Sequence, residues 1–198
     1  MKLVISFLVL VLVLIGCDIK NRYNDMSAYS VKNKNLQMII EVSSGSNKYF
    51  EYDYDSNVFK IKKINGKDEL VKFLPCPVNV GFIPSTSRDV SRSKKMPIDV
   101  ILISEALTTS TMVEIQVLGV MKLIEEGKER NYILAEPLAK ELKILNINNF
   151  NNFSTNHLNE LDIIQKWFLN YKPELKSKFV SWGNETEALN LIKNSIVN

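Results

Sequence analysis

Histidine and cysteine are almost absent from this 198-residue chain: one histidine, His157, and two cysteines, Cys17 and Cys76. His157 stands at the start of a helical pattern, with no cysteine or carboxylate at metal-site or catalytic-triad spacing, which excludes a zinc centre and a histidine-based triad. Glycine is scarce as well. Only seven occur, none grouped into a phosphate-cradling loop, and no segment repeats. Twenty-five basic residues nearly balance twenty-two acidic ones, for a formal net charge of +3. No global field therefore points to nucleic acid or another polyanion, and charge has to be read locally. With 45% apolar residues there is enough material for one domain with a proper core.

The N-terminus carries a different pattern. Lys2 precedes an uncharged apolar run from Leu3 to Ile15, which stops at Gly16-Cys17 before polar Asp18-Ile19-Lys20-Asn21-Arg22. A membrane-spanning helix needs about 20 apolar residues, so this run reads as an export signal. Leu14-Ile15-Gly16-Cys17 resembles the lipobox of bacterial lipoproteins, which implies cleavage before Cys17 and acylation of its thiol. With Cys17 lipidated, Cys76 has no disulfide partner within the chain, and packing must hold the fold. The expected division is residues 1–16 signal peptide, 17–35 polar tether and 36–198 globular domain. The expected location is the bacterial cell envelope, with the membrane engaged through the lipid.

Strand signals fill the first part of that domain. Gln37–Val42, then Tyr49–Tyr54 and Val58–Lys62 around Asp55-Ser56-Asn57, give a strand and a hairpin. Apolar runs at Asp99–Ile103, Met112–Val120 and Tyr132–Glu136 add further strands. After Pro137 the character changes. The Asn-rich run 146–153 reads as a loop anchored by Phe150 and Phe153, and two helices follow. One presents Leu158, Leu161, Ile164 and Phe168, and the other starts at Asn184 and presents Ala188, Leu189, Ile192 and Ile196. The expected class is α+β, mainly β: a barrel followed by two C-terminal helices.

Ordered landmarks across residues 37–197 resemble soluble family I inorganic pyrophosphatases. They are Ile40-Glu41-Val42, Glu51-Tyr52-Asp53, Val58-Phe59-Lys60, Asn79-Val80-Gly81-Phe82-Ile83-Pro84, Pro97-Ile98-Asp99-Val100 and Leu118-Gly119-Val120-Met121-Lys122. Trp167–Lys172 and Val180-Ser181-Trp182 resemble that family's two C-terminal helical signatures. The resemblance implies a five-stranded OB-like barrel that hydrolyses pyrophosphate with Mg2+ held by clustered carboxylates. Such a metal neutralises the phosphates and activates a water, while Lys, Arg and Tyr side chains hold phosphate oxygens.

Carried over position by position, the apparatus is depleted. The main metal-binding run appears as Lys94-Lys95-Met96-Pro97-Ile98-Asp99, where only Asp99 survives. On the following hairpin, two acids and a lysine fall on Glu125, Arg130 and Tyr132. A further lysine falls on Tyr49, with Lys48 beside it. An arginine becomes Lys63, which lacks the planar fork. The two tyrosines flanking the family's Pro-x-Asn fall on Cys76 and Val80. The resemblance therefore leaves Asp99 and Glu125 as metal candidates, Glu41 and Glu51 as retained acids, and Lys63, Arg130, Tyr171 and Lys172 as phosphate-binding candidates. Asp89 could supply a missing ligand. Lys94 and Lys95, with Arg88 and Arg92, read either as a solvated basic loop or as an anion-binding edge.

Three functions remain open on this reading. The leading expectation is a pyrophosphatase-like lipoprotein with impaired or lost Mg-dependent hydrolysis, whose cation-enriched pocket could bind phosphate or pyrophosphate without metal. The others are an active diphosphatase with an altered metal site and a host-facing or structural interaction lipoprotein. No nucleic acid partner is expected.

Overall fold

The computed structural model describes residues 23, 26–64, 66–88, 96–145, 147 and 149–197. The apolar leader, Cys17, Asp89, Arg92, Lys94 and Lys95 lie outside these residues. In chain order the strands are β1 (Gln37–Val42), β2 (Phe50–Asp53), β3 (Val58–Ile61), β4 (Lys63–Ile64), β5 (Lys67–Asp68), β6 (Asn79–Ile83), β7 (Ile98–Leu102), β8 (Met112–Glu125), β9 (Lys128–Pro137) and β10 (Lys178–Gly183). The helices are α1 (Phe150–Asn156), α2 (Leu158–Asn170) and α3 (Glu185–Ser195).

Five strands close a ring in the order β1-β6-β7-β9-β8, with β8 returning to β1. The result is the mainly β barrel expected from the sequence, of OB-like type. Each neighbouring pair is antiparallel except β7 and β9, which run parallel with Asp99 opposite Tyr132. β8 is long enough to pair beyond the ring: Met112–Glu114 pair with β1, whereas Val120–Ile124 pair with β10, the sixth strand of the same sheet. Gly81 is required where β1 crosses β6, because a Cβ there would lie 1.9 Å from the Ile39 carbonyl oxygen.

Period-two alternation gives each central strand two buried faces. Met38, Ile40, Val100, Leu102, Ile133 and Ala135 form one apolar layer, onto which α3 lays Ala188 and Ile192. Ile101, Ile103, Tyr132 and Leu134 face the other way, against Phe153 of α1 and Leu161, Ile164 and Phe168 of α2. Followed toward the strand ends, this second face stops being apolar. Its next positions are Asp99 on β7 and Arg130 on β9, so the charged groups gather at the mouth of the barrel beside the end of α2.

Several local expectations change. The Asn-rich run holds α1 rather than a loop: Asn149 accepts the Asn152 N–H as an N-cap, which starts the helix that Phe153 then buries. Val180-Ser181-Trp182 lie in strand β10, not in a helix. Within α2 the buried stripe is Leu161, Ile164, Trp167 and Phe168, while Leu158 is 63% exposed. α3 is capped by Asn184 as expected, but Leu189 is half exposed and Ile196 lies beyond the helix end. Part of the stretch read as a tether is attached: Ala28 is buried in the α3-side core, Tyr29 bridges to Leu36, and the Tyr23 ring packs edge-on to Tyr52.

Candidate functional site

The site is built where regular strand pairing fails. Between Ile40 and Val42 the β1–β6 register slips, and this bulge turns Glu41 toward the barrel mouth. There the Tyr52 N–H donates to Glu41 Oε1 at 2.9 Å, fixing the first strand of the neighbouring hairpin to it. Burial, only partly opposed by that hydrogen bond, pushes the Glu41 carboxyl up to about 8. It therefore carries its proton near neutrality and is a poor metal ligand in that form.

Asp99 anchors the opposite wall. Arg88 Nη1 lies 3.0 Å and Arg130 Nη2 2.7 Å from the same oxygen, Oδ2. Arg130 Nε also lies 4.0 Å from Glu125 Oε2, and the guanidinium sits 5.4 Å from the centre of the Tyr132 ring. Burial, then the Glu125 charge, push the Asp99 carboxyl well above its usual range. The two guanidiniums oppose that, and a proton on Asp99 would have to disrupt both ion pairs. Glu125 is fixed by donors from Tyr132 Oη at 3.2 Å and Ser177 Oγ at 3.5 Å, and burial raises its carboxyl as well.

A second cluster adjoins the first through tyrosine rings. Tyr49 stacks on Tyr171 at 6.2 Å, and Tyr171 stacks on Trp167 at 4.6 Å. Burial drives the phenols of Tyr49, Tyr132 and Tyr171 well above their ordinary value, so they stay protonated. Lys172, directly after Tyr171, places Nζ 4.1 Å from the Tyr49 ring centre and 2.5 Å from Glu69 Oε1. Lys62 Nζ reaches within 3.8 Å of Glu69 Oε2.

The sequence expectations divide on this geometry. Asp99, Glu125, Arg130, Tyr171, Lys172 and Glu41 converge. Lys63 does not: its side chain is 64% exposed and pairs with Asp68 at 3.9 Å, while half-exposed Lys62 is the one that reaches toward Glu69. Glu51 is exposed on β2 opposite Lys60, close enough to Glu41 to add to its raised value. Lys48 is exposed and bridges to Leu70, so it does not replace the inward Tyr49. Arg88 is turned in on Asp99 rather than forming part of a basic edge. Glu69 was not anticipated. In Lys67-Asp68-Glu69 it looks like one more charge on a turn, and only the pairing of its backbone N–H with Lys62 O at 2.7 Å reveals the inward direction.

These residues can be set against known proteins. A family profile described as inorganic pyrophosphatase matches residues 38–198. The chain belongs to the inorganic pyrophosphatase family. An inorganic pyrophosphatase from Sulfolobus acidocaldarius is 27% identical over 163 residues, covering 81% of this chain and 89% of its own. One from Neisseria meningitidis is 28% identical over 165 residues, covering 81% and 86%. Among solved structures, the inorganic pyrophosphatase of Thermus thermophilus superposes with a TM-score of 0.74 at 21% identity, covering 88% of this chain and 97% of that one. That of Neisseria gonorrhoeae gives 0.71 at 25%, covering 88% and 96%.

Within this pyrophosphatase domain the implied Mg2+ does not fit the residues described. Asp99 is already ion-paired twice, and among the described residues no group of three or more His, Cys, Asp or Glu side chains is placed to hold a metal. A dication about 4 Å from the Arg130 guanidinium would meet a repulsion of roughly 8 kcal/mol at an effective dielectric of 20. The mouth is neutralised by the chain's own arginines.

Proposed function

We propose that this chain is a pyrophosphatase-family protein that no longer performs metal-dependent pyrophosphate hydrolysis and works as a lipid-anchored protein of the bacterial cell envelope. One observation carries the first half: Arg88 and Arg130 both contact Asp99 Oδ2, so the best-placed metal ligand is bound to two cations. Hydrolysis of this kind needs the metal both to screen the phosphates and to lower the pKa of the attacking water. Tyrosines with raised pKa and a protonated Glu41 supply neither.

The second half is supported by the sequence Leu14-Ile15-Gly16-Cys17 closing an uncharged run. Among the described residues no helix is long and apolar enough to cross a membrane, so on this reading attachment falls to Cys17. Two or more acyl chains, at about 0.8 kcal/mol per buried methylene, would make release slow.

The deciding experiment is phosphate release from pyrophosphate by the full-length protein in detergent, with Mg2+ and with Mn2+. Turnover absent, or lower by about three or more orders of magnitude than the median enzyme rate of about 10 s⁻¹, is expected. An ordinary turnover number would overturn the reading and show that a carboxylate outside the described residues completes a metal site. For the anchor, native protein should be processed and partition into detergent, whereas Cys17→Ala should stay unprocessed or become soluble. Unchanged processing together with unchanged partitioning would remove the anchor from the proposal.

A further inference from the structure

Little chain separates the cysteine of the lipobox from the first packed residue. Tyr23 is buried, its ring set edge-on to Tyr52 at 5.2 Å and to Phe59 at 5.3 Å, and its hydroxyl donates to Ser110 O at 3.2 Å. The residues after it stay attached: Ser85 Oγ donates to Met26 O at 2.7 Å, and Gln37 Nε2 donates to Ser27 O at 2.8 Å. Six residue steps lie between Cys17 and Tyr23. They reach roughly 20 Å at most. A lipid on Cys17 would therefore hold the domain close against the bilayer, with the β2–β3 hairpin around Tyr52 and Phe59 on the near side.

That hairpin leads straight into a stretch suited to such a surface. From Phe59 to Lys63 is at most about 13 Å along the chain. Residues 63–74, the β4–β5 arm and the segment after it, expose Lys63, Lys67 and Lys72 together with Leu70, Phe73 and Leu74, which are 46%, 44% and 67% exposed. Of the two carboxylates there, Asp68 is exposed and Glu69 is turned inward onto Lys172. The backbone beneath is fixed. The Val71 N–H donates to Asn47 O at 2.8 Å, Trp167 Nε1–H donates to Leu74 O at 2.8 Å, and Val71 is buried between exposed Leu70 and Lys72. Three outward apolar side chains within five residues, flanked by lysines, have the composition of a surface that enters the headgroup boundary of an anionic bilayer. We propose that residues 63–74 dock on the anionic lipid surface that holds Cys17. Leu70, Phe73 and Leu74 enter the acyl boundary, and Lys63, Lys67 and Lys72 meet lipid phosphates. The inference rests on the lipid-anchor reading. Lipid and arm together hold the domain at two points, which fixes one face toward the membrane.

The test uses the lipoprotein purified from membranes and reconstituted on vesicles of phosphatidylcholine alone or of phosphatidylcholine mixed with phosphatidylglycerol. After flotation, a water-soluble maleimide reads the labelling rate of Leu74→Cys on the arm and of Leu189→Cys on α3, with native protein, whose Cys76 is buried, as background. At low salt Leu74→Cys should react at least about tenfold more slowly on the vesicles containing phosphatidylglycerol, while Leu189→Cys reacts equally on both. High salt, or addition of Lys63→Glu and Lys67→Glu, should remove the protection. Equal rates for Leu74→Cys on the two vesicles overturn the proposal, as does equal slowing of both cysteines or protection that survives the charge reversals. Protection that persists on phosphatidylcholine and grows with protein density shows a second copy on the arm and overturns it too. Protein that does not float with phosphatidylcholine vesicles overturns the anchor and this inference with it, whereas protein that floats and leaves Leu74→Cys open loses the arm alone.

Discussion

The layer of the barrel that packs on α3 and the barrel mouth are made from the same strands, yet they hold together by different means. On β9, Ile133 and Ala135 lie in the α3-side layer, whereas Arg130 and Tyr132 face the mouth. The apolar layer is non-directional, and a methylene lost from it costs a transfer and cavity term. The mouth depends on pairing. Asp99, Arg88, Arg130, Glu125, Lys172 and Glu69 tolerate burial only because each has an opposite charge within 4.0 Å. The cations that neutralise these carboxylates are the chain's own, Arg88 and Arg130 on Asp99 and Lys172 on Glu69, so the fold at the mouth depends on them.

The sharpest way to break this comparison is to remove the shared anion. Asp99→Ala leaves two guanidiniums without their partner and should lower unfolding stability by about 3–5 kcal/mol. Ile133→Val, in the apolar layer of the adjacent strand, should cost about 0.5–1.5 kcal/mol. Adding Arg130→Met to Asp99→Ala should recover a large part of the loss, because the orphaned charge goes with it. Urea unfolding of the four proteins measures this. A loss at Asp99 no greater than that at Ile133 would mean the mouth is hydrated and the contrast false.

A smaller effect distinguishes the two regions by pH. Glu41 is raised by burial from 4.5 to about 8, so the native state holds a proton that the unfolded chain releases between those values. Stability is therefore greatest below about pH 4.5 for this group and declines as pH rises to about 8. Allowing for water at its edge, the decline is roughly 1–3 kcal/mol. Glu41→Gln should flatten it in melting curves recorded across that range, leaving the slope that the raised Glu125 contributes with the same sign. An unchanged slope would show Glu41 to be ionised throughout. The smallest effect is at Lys63. Exposed and 3.9 Å from Asp68, it should change stability by no more than about 0.5 kcal/mol when replaced by alanine.

That last residue shows where the sequence stops being legible. Most strands of the ring, α2, α3 and the convergence of Asp99, Glu125 and Arg130 could be read from alternation and from the family resemblance, since each sits on a regular element, and Lys172 follows closely on α2; β10 could not, because Val180-Ser181-Trp182 resembles a helical signature. Lys62 and Lys63 cannot be told apart in this way. Pairing breaks between β3 and β4, and counting by twos fails across the break. Glu69 is hidden for a related reason: a carboxylate after Lys67-Asp68 has the composition of a solvated turn, and its direction depends on a backbone bond back to Lys62. The Asn-rich run misleads in the opposite sense. Its low helix propensity argues for a loop, but one asparagine at the cap and one buried Phe153 suffice for α1.

The return of β8 to β1 has a consequence in time as well as in space. The Asn35 side chain donates to Glu114 across 79 residues, and next to it Gln37, Met38 and Ile39 find their β8 partners in Glu114, Val113 and Met112, progressively nearer along the chain. Met38, Ile39 and Ile40 are fully buried once the ring closes, and before that they form an apolar strand with an open edge. Loop-closure entropy must be met before those contacts form, which makes closure a slow step in folding. The chain emerging from synthesis carries this edge open until the start of β8 has been made, so the first strand of the barrel waits long for its second partner and is a place where two unfinished copies would meet.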